Sequence, residues 1–176
     1  MFTPPHYLSP SSIRLYQDCP QKFKINKFDN IKEPPSWATE LGTFTHEVLE
    51  HLYLLDPAER THDSVKALAG QLWADNNWEE QVLSLDEPKG DIKKFKQTAF
   101  SNMINLWNLE NPQETFIDEM ELEVESEVEG VRMRGFIDRL SISDDETAII
   151  SDYKTGKVPN PRYNTPDKQF FQLLAY

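Results

Sequence analysis

One cysteine, Cys19, is the whole thiol content of this chain of 176 residues. An internal disulfide is therefore excluded, and a reducing compartment, the cytoplasm, is the expected location. No apolar run approaches the roughly 18 residues of a membrane-spanning helix, so no membrane partner is expected. The opening MFTPPHYLSP has neither a basic start nor an apolar stretch and does not read as a signal peptide. Glycine is scarce, at six residues, and no internal repeat is evident. Positive charge is also in short supply: 18 Lys and Arg stand against 30 Asp and Glu, for a net charge of −12. The deficit is local. Residues 37–130 hold 21 of the acidic groups and only six basic ones, whereas the two ends of the chain are slightly basic. The middle thus reads as a solvated acidic surface, and only the ends suit a phosphate backbone.

Aromatic residues are plentiful, with four Trp, ten Phe and six Tyr, which argues for a packed core. The N-terminal half has helical periodicity. Ser9 and Pro10 suit a cap and a first helical position, Ile13 and Tyr16 an apolar face, and Pro20 a break. Lys22, Lys24 and Lys27 gather around Phe23 as either an exposed helix end or a phosphate contact. After Pro34-Pro35, residues 37–55 place Trp37, Leu41, Phe44, Val48, Leu52 and Leu55 at helical steps. Gly42 inside that helix costs about 1 kcal/mol relative to Ala, which a close neighbour would explain. His46 follows one turn later; a lone histidine on a helix is most often only a polar or half-buried residue. The spacing Glu47, Glu50, His51 is not that of a zinc protease. Residues 64–80 and 91–109 are two further expected helices, and 56–115 together read as an acidic helical insertion.

The period then changes to two. In residues 116–128, Met120, Leu122 and Val124 alternate with Glu119, Glu121, Glu123 and Glu125, as in a strand with one solvated face. Glu129-Gly130 is a tight turn. Residues 131–142 and 147–154 form a hairpin about the polar break Ser143–Glu146. With the turn centred on residue 145, Asp138 lies opposite Asp152, and alternation puts Lys154 on the same side as Asp152. Two opposed carboxylates cost about 0.2–1 kcal/mol or more, so such a pair calls for a cation, naturally a divalent metal. The lysine would then hold developing negative charge or orient a water. Taken as an isolated pair these groups would be an ordinary surface salt bridge.

Four segments in order, GTFTHEVLE (42–50), GFIDRL (135–140), SDYKTG (151–156) and QLLAY (172–176), resemble the PD-(D/E)XK nuclease superfamily, specifically its RecB-like branch, which includes the Cas4-like nucleases. The opening LSPSSIRLYQDCPQKF is similar to that branch's N-terminal segment. The resemblance implies an α/β (mixed) fold: a restriction-endonuclease-like core whose small mixed sheet, with an antiparallel meander, is flanked by helices and preceded by a helical N-terminal half. It covers residues 1–176 as a single domain, with the final helix read as cut short.

Residue by residue, the resemblance implies that Asp138 and Asp152 are catalytic metal ligands, that the backbone carbonyl of Tyr153 completes the shell, and that His46 joins it. Lys154 is the implied catalytic lysine. Gln172 and Tyr176 match the last motif, supporting the lysine or contacting DNA, with Lys22 and Lys24 as further DNA contacts. Glu119 or Glu121 could supply a supporting acid, and the sequence does not choose between them. The cofactor expected is Mg²⁺ or Mn²⁺. An iron–sulfur cluster, held in several such enzymes by one cysteine near an N-terminal Cys-Pro and three near the C-terminus, is not expected, because only Cys19 is present. Cys19 itself is expected as a small buried residue.

The expected function is metal-dependent hydrolysis of DNA phosphodiesters, as an exonuclease of repair, recombination or phage DNA metabolism, with a helicase or recombination protein as a possible partner. The alternatives are a Cas4-like nuclease of CRISPR adaptation, a non-catalytic DNA-binding or assembly module, and an acidic protein-interaction domain.

Overall fold

The computed structural model describes residues 5–85 and 91–156, which fall into two compact units. One, the sheet unit, comprises residues 5–34 and 118–152; the other, the helical unit, comprises residues 35–117 and 153–156. The combination is the expected mixed α/β class: six α-helices and a three-stranded antiparallel sheet among the described residues.

In the sheet unit, helix α1 (Pro10–Asp18) starts at a capping box in which Ser9 and Ser12 exchange side-chain and backbone bonds, with Pro10 at the first helical position. Pro20 opens a second helix, α2 (Pro20–Lys27), rather than extending the first. Two expectations fail here: Tyr16 keeps more than half its surface exposed, and Cys19 is exposed. Tyr16 instead packs edge-on against Phe23, ring centroids 5.4 Å apart. Cys19 is the hinge residue between α1 and α2, extended at φ −160°, and belongs to neither helix's inward face.

Strands β1 (Glu119–Val128), β2 (Val131–Ile142) and β3 (Ala148–Ser151) run in the order β1-β2-β3. The β1–β2 turn is Glu129-Gly130, both at positive φ (50° and 76°), the geometry of a type I′ hairpin that glycine adopts without strain. The Ser143–Thr147 loop places Glu146 at φ 63° and closes with Ser143 N–H donating to the Thr147 carbonyl at 3.0 Å. Inside it the Asp145 carboxylate accepts from the Ser143 hydroxyl and the Thr147 N–H, which hold its pKa below the ordinary value. The sign is that of a depressed acid: the loop keeps this support at neutral pH and loses it as pH falls through the carboxylate range.

Ladder partners of β2 and β3 are Arg139–Ser151, Leu140–Ile150, Ser141–Ile149 and Ile142–Ala148, the register the sequence predicts. The strand stops at Ser151, three residues short of the expected end. On β1 the alternation is as expected, but Met120, Leu122 and Val124 are half-buried rather than buried. Near the N-terminus Leu8 forms a parallel bridge with Met133, its N–H donating to the Arg132 carbonyl at 2.9 Å and its carbonyl accepting from Arg134 at 3.0 Å. A parallel contact thus joins an otherwise antiparallel sheet.

In the helical unit, α3 (Trp37–Tyr53) is capped by Ser36 in a box with Thr39. Its inward stripe Leu41, Phe44, Val48 and Leu52 is buried as predicted. Each such side chain contributes about 1.5–3 kcal/mol. The expected helix over 64–80 is two helices, α4 (His62–Asp75) and α5 (Trp78–Leu83), separated at Asn77, which is left-handed at φ 53°. Helix α6 (Ile92–Ile104) begins at an Asp91 cap and passes into a 3₁₀ turn, Asn105–Asn108. Phe44, Trp73, Trp78 and Phe95 form one aromatic core, with centroid separations from 5.1 to 6.3 Å.

A buried cation completes this unit. Arg60, only 6 % exposed, follows a 3₁₀ turn, Pro57–Glu59, and its guanidinium donates to four backbone carbonyls. They are Leu55 (3.0 Å), Tyr53 (3.1 Å), Pro112 (3.1 Å) and Thr115 (2.8 Å). It ties the end of α3 to the chain that leaves α6.

Candidate metal centre

Asp138 lies on β2 and is half-buried between the buried residues Ile137 and Arg139. Arg139 reaches the Ser151 hydroxyl with Nη2 at 3.1 Å. The β2–β3 ladder ends at Arg139–Ser151, and Asp138 and Asp152 are the residues just beyond that last pair. Asp152 is half-buried, with Oδ1 shut off from solvent. On the other side of β2, Glu119 pairs with Leu140, and Glu121 falls between the pairs Met120–Arg139 and Leu122–Ile137. Glu121 has a left-handed backbone, φ 48°, in mid-strand, a conformation that costs a non-glycine residue about 1–2 kcal/mol.

The second half of the predicted constellation lies in the helical unit. His46 Nε2 is 2.6 Å from the carbonyl oxygen of Tyr153, and the two rings meet edge-on with centroids 5.5 Å apart. One turn earlier on α3, a Cβ at Gly42 would stand 3.5 Å from Thr155 Oγ1. Thr155 is thus the close neighbour expected at the glycine, although ordinary van der Waals contact would still accommodate a methyl group there. Residues 153 and 155 accordingly lie along one edge of α3, over Gly42 and His46, which share a face by their spacing of four. The Tyr153 carbonyl engages a histidine instead of a sheet neighbour, and residues 152–155 are not strand. Strand alternation therefore does not set the direction of Lys154, which is exposed.

The other predicted contacts divide. Lys22 and Lys24 are exposed and ion-paired, Lys22 with Glu33 at 2.5 Å and Lys24 with Asp29 at 3.0 Å, so the basic group is largely charge-compensated. Glu33 also holds the Lys22 pKa above its ordinary value, chiefly through their hydrogen bond. Gln172 and Tyr176 lie outside the described residues. Glu47, beside His46, is occupied structurally, accepting from Trp78 Nε1 at 3.1 Å and from Asn76.

The donors expected from the sequence are two carboxylates on the sheet unit and a carbonyl oxygen and an imidazole on the helical unit, types of group that a hard divalent cation takes, with no thiolate among them. In the structure His46 Nε2 and the Tyr153 carbonyl are joined by a hydrogen bond, in which the ring N–H donates. Among the described residues no three His, Cys, Asp or Glu side chains stand together as a ready-made metal cluster. Backbone oxygen and water would have to supply the remainder, as is usual for Mg²⁺.

A sequence model of the PD-(D/E)XK nuclease superfamily matches residues 7–176. The chain belongs to that superfamily, whose members are nucleases that hydrolyse phosphodiester bonds and generally use divalent metal ions. No curated protein and no solved structure matches it. Among the described residues no helix is long and apolar enough to cross a membrane.

Proposed function

We propose that the chain is a metal-dependent deoxyribonuclease of the RecB-like branch, acting as an exonuclease in repair, recombination or phage DNA metabolism. The observation that carries this reading is His46 at 2.6 Å from the Tyr153 carbonyl, across 107 residues of sequence. A histidine on the helix before the sheet is what distinguishes the RecB-like pattern from a bare Asp…Asp-x-Lys arrangement. Asp138, Asp152, the Tyr153 carbonyl and His46 are the ligands in this reading. A bound Mg²⁺ or Mn²⁺ supplies charge neutralisation at the phosphate and makes water acidic enough to attack near neutral pH. Lys154 donates to the developing negative charge or orients the water. The Cas4-like alternative remains the closest relative of this reading, and Cys19, the counterpart of that group's first cluster ligand, is exposed.

The test is cleavage of end-labelled single- and double-stranded DNA by the purified chain with Mg²⁺, Mn²⁺ or excess chelator. Cleavage that vanishes with chelator and returns with metal is expected. His46→Ala should raise the metal concentration giving half-maximal rate by about tenfold or more, as loss of a ligand or its hydrogen-bonded support does. An unchanged metal titration in this variant would remove His46 from the site. DNA binding without metal-dependent turnover would instead favour the non-catalytic module.

A further inference from the structure

Beside Asp138, within the sheet unit, lies a pocket of about 340 Å³ lined by Tyr7, Ser9, Ser11, Arg134, Phe136 and Asp138. Arg134, Phe136 and Asp138 are alternate residues of β2 and so share a face of the strand. Two of the lining rings are exposed, Tyr7 at 43 % and Phe136 at 47 %. The Arg134 guanidinium lies over both, 4.9 Å from the Tyr7 ring centroid and 5.7 Å from that of Phe136. Its Nη1 donates to the Tyr7 hydroxyl at 3.1 Å.

Charge decides what this pocket suits. Arg134 is ion-paired with Glu123 and lies 3.9 Å from Glu125, so its positive charge is answered within the sheet. A phosphate would meet a neutralised guanidinium and neighbouring carboxylates. A neutral planar ring would meet two aromatic faces and a guanidinium plane, the surfaces on which unpaired bases stack. The volume is within the range of small-molecule sites.

We propose that this pocket holds one unpaired nucleobase of the DNA strand whose phosphate is cut at Asp138, so that the enzyme works on single-stranded or frayed ends. The proposal rests on the nuclease reading of Asp138. A base inside a duplex is already stacked and paired, and must be freed at a cost before it can enter.

The experiment measures binding of the full chain to a short fluorescein-labelled oligothymidylate and to a blunt duplex of the same length, by anisotropy, in Ca²⁺ and again in chelator. Phe136→Ala should weaken oligothymidylate binding by about tenfold or more and shift the ratio of single-strand to duplex affinity by a similar factor. Phe136→Trp, which keeps a stacking face, should retain the wild-type ratio. The proposal is overturned if Phe136→Ala leaves the ratio unchanged, or if Phe136→Trp loses it as fully as Phe136→Ala. If wild-type protein cuts no DNA yet the ratio shifts as described, the base site stands and the nuclease reading falls. If it cuts and the ratio is indifferent to Phe136, the reverse holds.

Discussion

Asp152→Asn is expected to lower DNA cleavage by about a thousandfold, and Lys154→Met by about a hundred- to a thousandfold, with both proteins folded. The carboxamide keeps the shape of Asp152 but removes the negative charge that balances a divalent ion. Lys154 is exposed, so the methionine at that position leaves packing intact while deleting the cation nearest in sequence to the ligands. Asp138→Asn should match Asp152→Asn, and the double variant should be no worse than either, because two ligands of one ion act as a unit. Single-turnover cleavage with saturating Mn²⁺ separates the roles: Asp152→Asn should lose metal affinity, whereas Lys154→Met should lose rate at unchanged metal demand. Either variant retaining more than about a tenth of wild-type activity would sink the assignment, since the loss of a single group in such a site costs more than that.

The largest stability effect is expected away from the site. Arg60→Met should cost about 3–5 kcal/mol, the order expected when several buried acceptors lose one shared donor. Four carbonyls, on Tyr53, Leu55, Pro112 and Thr115, lose their donor at once. Each buried polar group left unsatisfied costs about 1–3 kcal/mol, offset where water reaches it. At about 2–4 °C per kcal/mol for a chain of this size, melting followed by circular dichroism should fall by roughly 10 °C. Arg60→Lys should fall between, because a single ammonium cannot reach four carbonyls spread around a planar fork. A melting temperature within about 2 °C of wild type for Arg60→Met would show that the network is solvated.

The hairpin was the most legible part of the chain. Centring the turn on residue 145 gives the observed β2–β3 register, and a one-residue slip would turn every apolar side chain to the wrong face. The length of β3 was not legible, because Asp152-Tyr153-Lys154 is as compatible with a strand as with an extended loop. Beyond the strand the Tyr153 carbonyl meets a histidine more than a hundred residues away, and local alternation carries no trace of that contact. Arg60 was illegible for the same reason, since its four acceptors are backbone atoms, which any sequence supplies. Likewise the ion pairs of Lys22 and Lys24 bring in Glu33 and Asp29 from the loop that follows, so a count of basic residues overstated the charge left for DNA.

Strand β1 has a neighbour on only one side among the described residues, and its glutamates, at 119, 121, 123, 125 and 127, are all exposed. An open strand of ten residues is a template on which another chain can add. Two copies meeting there would bring ten carboxylates into line, and the left-handed backbone at Glu121 interrupts the row of hydrogen-bonding groups they would need to share. The acidity concentrated in this strand therefore guards the molecule against its own kind: self-association along the sheet is opposed by charge.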